Sequence, residues 1–203
     1  MTAKDELATT PEQHWNSILG LWRSWLDHDL QRGARAELKR CADIGGVMCH
    51  PAALRLYSQL QEHPWRPRAE AVGVIAGVAP SLKRLSTQST RDPNPTIEPK
   101  SPNEPDLPVI LGQSVQGDRP RFSELRFKRL LESRDSNELL QQLRRALAQV
   151  DGAGNWIQLV NTITQCHRQW ATPEQYSGSQ QWQYQWSRSY YKQVFKYLKE
   201  VKS

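Results

Sequence analysis

Long apolar runs are missing from this 203-residue chain. No stretch reaches the roughly 18 apolar residues that a membrane-spanning helix needs. Cysteine is scarce: Cys41, Cys49 and Cys166 are an odd number at irregular spacing, which argues against a disulfide framework and fits reduced thiols in a cytosol. The first residues, MTAKDELATTPEQ, carry acidic side chains and no apolar core, so they do not read as a secretory signal. Strand-type alternation is absent throughout, which leaves an all-α protein.

The features that chemistry needs are also missing. The only glycine-rich candidate, GAGN at 152–155, lacks the Lys-Ser/Thr that completes a phosphate loop. No two carboxylates share a helix face in an apolar setting. Cys49-His50 and Cys166-His167 lack the turn-like ligand spacing of a metal site, and His50 before Pro51 suits a helix cap. Neighbours on a helix point about 100° apart, so His167 does not reach the Cys166 thiol. No metal, cofactor or catalytic residue is expected.

Positive charge is present, and it is uneven. The net charge is +6. Residues 109–203 hold 14 Lys and Arg against 8 Asp and Glu, whereas residues 1–85 hold 11 against 9. Such a field steers anionic partners and says nothing about fold.

The spacing of apolar residues predicts a series of helices. Thr10-Pro11-Glu12-Gln13 is a helix start with a capping box. Behind it Trp15, Ile18, Leu19, Trp22, Trp25 and Leu26 follow the helical period to about Leu30, with a break at Gly33 and a short continuation to Ala42. Pro51 opens a helix carrying Leu54, Tyr57 and Leu60. Ala69 to Ala79 reads as a buried helix, in which Gly73 and Gly77 would permit close packing. Residues 86–108 contain six prolines and almost no apolar side chains, too few to offset ordering entropy. They read as a proline-rich linker or disordered loop between an N-terminal helical lobe, 1–85, and a basic C-terminal helical lobe, 109–203. The periodic tryptophans read as core. Tyr191, off the stripe of the last helix and beside Lys192, is the aromatic expected at the surface.

The segment RFSELRFKRLLESRDSNELLQQLRRALAQV, residues 121–150, is the most informative. In its first helix Phe122, Leu125, Leu130 and Leu131 form the apolar stripe, and Arg126 and Arg129 share another face. Arg134 and Asp135 lie at the joint, with Asp135 as N-cap and Glu138 three residues on. In the second helix Leu139, Leu143 and Leu147 recur every four residues, and Arg144 and Arg145 project beside them. A second basic helix, RGARAELKRC at 32–41, places Arg32, Arg35 and Lys39 on one face with Arg40 beside them. In the last helix Trp182, Trp186, Tyr190, Val194 and Leu198 step by four, while Arg188, Lys192 and Lys196 step by four on a different face. Rigid rows of guanidiniums suit a phosphate backbone better than catalysis.

In order along the chain, RGARAELKRC, LGQSVQ (111–116), SELRFKRLLESRDSNELLQQLRRAL (123–147), NW (155–156) and WSRSYY (186–191) resemble the small-subunit family, CasB, of the type I-E CRISPR Cascade complex. The resemblance covers most of the chain outside the linker and the tail. It implies a bilobed helical subunit without catalytic residues, active in antiviral defence in the cytoplasm. Copies would sit head to tail beside the backbone and large subunits, steadying the CRISPR RNA–target DNA hybrid and the displaced strand of the R-loop. Guide pairing would supply the specificity, and the protein only sequence-blind phosphate contacts. Matched to the family's basic positions, Arg40, Arg68, Arg126, Arg144, Arg145, Arg168 and Arg188 are implied as nucleic-acid contacts. The 86–108 insert and the 171–181 loop depart from the family pattern. The alternative is a helical adaptor whose basic face docks an acidic protein.

Overall fold

Residues 10–83, 105–114 and 119–200 are described by the computed structural model, and among them there are ten α-helices and no strand. In order these are α1 (Pro11–Asp27), α2 (Arg32–Arg40), α3 (Ile44–Met48), α4 (Pro51–Gln61), α5 (Ala69–Val78), α6 (Leu107–Gly112), α7 (Glu124–Leu131), α8 (Ser136–Gln149), α9 (Trp156–Ala171) and α10 (Trp182–Glu200). The all-α expectation holds. Most of the proline-rich stretch, Val115 and Gln116 of the LGQSVQ motif, and Val201 lie outside the described residues. The proline-rich stretch is also shorter than expected at its far end, because Leu107 and Pro108 already belong to α6 and are buried.

The helix starts follow from local chemistry. Thr10 accepts from the Gln13 N–H while the Gln13 side chain accepts from the Thr10 N–H, closing the capping box. His50 Nδ1 accepts from the Ala52 N–H ahead of Pro51. Asp135 accepts from the Glu138 N–H, and the Glu138 carboxylate accepts from the Arg134 N–H. One boundary differs from expectation. The first helix ends at Asp27, and Gly33 lies inside α2 rather than at a break.

α5 is the centre of the packing. Ala71 to Val78 are all buried, and the helix meets α2, α3, α4, α8 and α9. A Cβ on Gly73 would meet Ile44 and Met48 at 2.8 Å, and one on Gly77 would meet Leu140 at 2.7 Å. The two glycines therefore let α3 and α8 approach this closely, as their spacing predicts. α1 lays Trp15 and Trp22 across this core: the Trp15 indole donates to Asn161 on α9 at 3.3 Å and the Trp22 indole to the Ala52 carbonyl at 3.0 Å. Helices from before and after the proline-rich stretch thus contribute to one cluster of buried apolar side chains. At its far side α6 lies against α10 so closely that a Cβ on Gly112 would stand 2.4 Å from the Tyr190 carbonyl oxygen.

Arg23 is buried in this assembly. It pairs with Asp27 at 2.9 Å and lies over the Trp156 ring. It also donates to the carbonyls of Ala79, Leu82 and Lys83. Removing one partner of a buried ion pair costs far more than the pair contributes, because it leaves an uncompensated charge. Arg23→Met should therefore cost about 3–5 kcal/mol in urea unfolding. The double variant Arg23→Met/Asp27→Leu should recover much of that loss; no recovery would mean that the carbonyl contacts, not the ion pair, dominate.

Candidate nucleic-acid interface

The thirteen cations expected to meet nucleic acid divide into those that the fold holds inward and those that it leaves at the surface. Arg35 and Arg144 are held inward. Arg35 Nη1 donates to the carbonyls of Leu26 at 2.5 Å and His28 at 2.9 Å, closing the C-terminal end of α1. Arg144 donates through Nε to Gly77 (3.0 Å), through Nη1 to Cys41 (2.6 Å) and through Nη2 to Leu38 (2.7 Å). Gly77 is in the last turn of α5, and Leu38 and Cys41 lie at the end of α2. These carbonyls have no partner within their own helices, and a cation there also meets the negative end of each helix dipole. Burial lowers the Arg144 pKa, with the Cys41 side opposing that shift. The expectation that Arg144 lies free beside the apolar stripe is therefore corrected: its guanidinium faces into the junction of α2, α5 and α8.

Arg145, the next residue, is exposed. On α8 it lies one turn from Gln149, whose side chain accepts from Arg126 Nη1 on α7 at 3.3 Å. Arg129 and Arg134 are exposed on the same helical pair. Because Arg144 ties the end of α2 to α8, the exposed Lys39 and Arg40 lie on a neighbouring element. Among the described residues no carboxylate is within ion-pair distance of Lys39, Arg40, Arg126, Arg129 or Arg145. Arg32 is exposed but pairs with Asp29 at 3.3 Å. Arg68 and Arg168 come together elsewhere, on either side of a cavity between α5 and α9. Arg188 and Lys192 stand one turn apart on the exposed face of α10.

Sequence reasoning missed Arg66, which joins Arg68 and Arg168 at that cavity. The Arg-Pro-Arg run was its only signal. Two apolar expectations also shift. Leu125, placed on the α7 stripe, is 62% exposed, and Phe127 takes its place in the core, stacked on Tyr190 at 3.9 Å. Tyr191, expected at the surface, is half-buried between Phe127 and Phe195, whereas Phe195 is 58% exposed. The periodic tryptophans do belong to the core: Trp15, Trp22, Trp182 and Trp186 are buried, and the half-buried Trp25 lies under Arg55.

The thiols and imidazoles do not assemble a reactive centre among the described residues. His50 Nε2 lies 3.1 Å from Glu37, and His167 shares Nε2 with the Ser136 hydroxyl and Nδ1 with the Ile163 carbonyl. Burial pushes the Cys166 thiol far up and so disfavours the thiolate. No group of three or more His, Cys, Asp or Glu side chains that could hold a metal occurs among the described residues. No described helix is long and apolar enough to cross a membrane.

The adjacent arginines separate structure from surface. Arg144→Ala should lower stability by on the order of 2–3 kcal/mol, since it strips a charged donor from three helix-end carbonyls. Arg145→Ala should stay within about 0.5 kcal/mol of the parent. Circular-dichroism melts of the two variants side by side check this, and equal melts would refute the inward role of Arg144.

The family model for the CRISPR-associated protein Cse2 matches residues 34–191. The chain belongs to this family, the CasB small subunits of type I-E Cascade. No curated protein sequence and no solved structure matches the chain significantly.

Proposed function

Starting from membership of the Cse2 family, we propose that this subunit binds nucleic acid without catalysing a reaction. It steadies the guide RNA–target DNA hybrid and the displaced strand within a cytoplasmic antiviral Cascade complex. The observation that carries this reading is the set of exposed cations Lys39, Arg40, Arg126, Arg129 and Arg145, without a carboxylate partner among the described residues, on the neighbouring elements α2, α7 and α8. A guanidinium with no carboxylate partner keeps its donors for phosphate oxygens, and rigid helices hold those donors in register with a backbone. Arg188 and Lys192 on α10 extend the positive surface and stand near the exposed Phe195 and Tyr184, an interleaving that suits single strands. Its partners are then the CRISPR RNA, both DNA strands, the backbone and large subunits, and a second copy of the chain arranged head to tail.

One observation favours the adaptor alternative. Leu125 and Phe195 are exposed apolar side chains, and Phe195 stacks on the half-buried Tyr191, which meets the buried Phe127 edge-on. Within a complex such exposed apolar side chains suit a protein neighbour.

A salt series of fluorescence anisotropy with the full chain and labelled single-stranded and duplex DNA tests the proposal. Affinity should fall steeply with salt as condensed counterions are released. Arg126→Ala and Arg145→Ala should each weaken binding by about 0.5–1.5 kcal/mol without altering the melt. Salt-insensitive binding, or an acidic protein partner that free nucleic acid does not displace, would favour the adaptor.

A further inference from the structure

His167 lies in the C-terminal half of α9 and is only 5% exposed. Its Nδ1 stands 2.8 Å from the Ile163 carbonyl, which only accepts, so Nδ1 carries a proton. Its Nε2 stands 3.0 Å from the hydroxyl of Ser136, the first residue of α8. In the neutral ring Nε2 accepts the hydroxyl proton, and both ring nitrogens are satisfied. Trp170 meets the ring edge-on, with 5.0 Å between centroids. One imidazole thus bridges the start of α8 to the body of α9.

A second proton turns this ring into a cation where little water reaches it. The Ser136 hydroxyl turns to accept from Nε2, so the hydrogen bond survives and the charge itself is what the site opposes. The N-terminus of α8 lies against Nε2, and the positive end of that helix dipole disfavours an imidazolium. The surrounding charges do not compensate. Glu70 of α5 favours the cation, and Arg68, just ahead of α5, disfavours it. At the start of α8 the Asp135 carboxylate accepts from the Glu138 N–H, and the Glu138 carboxylate from the Arg134 N–H. Arg168 follows on α9 itself, and Arg66 and Tyr176 share with His167 the lining of the cavity between α5 and α9. Burial is the largest influence and lowers the His167 pKa from its ordinary value, with the Ile163 bond and Glu70 opposing. The cavity, of about 270 Å³, gives water a way to the ring once its contact with α8 opens.

We infer that His167 is an acid-sensitive latch between α8 and α9: neutral, it holds the first turn of α8 in place, and protonated, it admits water and loosens that turn. The direction of the pH dependence is set by the lowered proton affinity of the closed form. A chain opened at this contact binds the proton near the ordinary histidine pKa of about 6.5, and the closed form binds it only at lower pH. The closed form therefore has its full advantage above about pH 6.5 and loses it progressively as pH falls below that value. The helix so held is the one that carries Arg144 and Arg145.

Amide hydrogen exchange of the full chain, followed by NMR between about pH 7.5 and about pH 5 with the imidazole signals recorded in the same samples, tests this. Corrected for intrinsic exchange, protection at Leu139 and Leu140 in α8 should fall below about pH 6.5 by up to roughly tenfold per pH unit. Val74 and Ile75, buried in α5, should keep theirs. The His167 ring should titrate at lower pH than the exposed His14. His167→Gln keeps a donor and an acceptor but has no proton to gain in this range, so it should abolish the loss at Leu139 and Leu140. His14→Gln should leave that loss as in the parent. A His167 ring that titrates together with His14 or above it would overturn the latch, and that measurement requires no variant to fold. An equal loss of protection in α5, or an undiminished loss in His167→Gln, would overturn it as well.

Discussion

A helix that ends inside a core must find donors for its last carbonyls, and in this protein guanidiniums supply them. Arg35 closes α1, Arg144 closes α2 and α5 together, and Arg23 gathers the carbonyls that follow α5. The alternative to such donors is desolvated carbonyls whose unmet hydrogen bonds each carry a cost of about 1–3 kcal/mol. Short helices make the requirement severe, because a larger share of their carbonyls lies in the last turn. α2, α3 and α6 have only nine, five and six residues, and they stay in place through these cross-links and through the approach that Gly73, Gly77 and Gly112 permit.

This use of arginine explains where sequence reasoning succeeded and where it stopped. The four-residue steps of Trp182, Trp186, Tyr190 and Val194, the caps at Thr10, His50 and Asp135, and the glycine pair in α5 are local patterns, and each has its expected place in the structure. Arg144 and Arg145 are alike in every local respect. They differ because they point about 100° apart on α8, and only the arrival of α2 and α5 on one side decides which is enclosed. The same holds for Leu125 and Phe127, two residues apart on α7: the position of α10 selects the phenylalanine. Arg66 was overlooked because its partner Arg168 is remote in sequence, and a cavity between distant segments leaves no periodic trace.

Where the chain presents charge, the exposed cations of α2, α7, α8 and α10 stand on helices held by the core, with the exposed Gln149 amide bonded to Arg126 among them. Structural and surface arginines are interleaved along the same helices. A change of charge on these helices therefore bears on the exposed surface proposed to meet nucleic acid in one residue and on helix closure in the next.

The turn between α8 and α9 has a consequence for the length of the chain. Gly152, with φ +73°, accepts at its carbonyl from the Lys83 N–H at 2.9 Å, and a Cβ there would collide with Ser81 and Lys83. Two residues on, a Cβ at Gly154 would touch Leu107 at 3.7 Å. The last residues before the proline-rich stretch and the first helix after it are thus both anchored to one four-residue turn. Closure entropy rises only with the logarithm of the number of residues enclosed, so halving or doubling that stretch alters it by about 0.6 kcal/mol. Two such anchor points in one place let the length of chain between them change at little cost in closure entropy while the helices around it keep their packing.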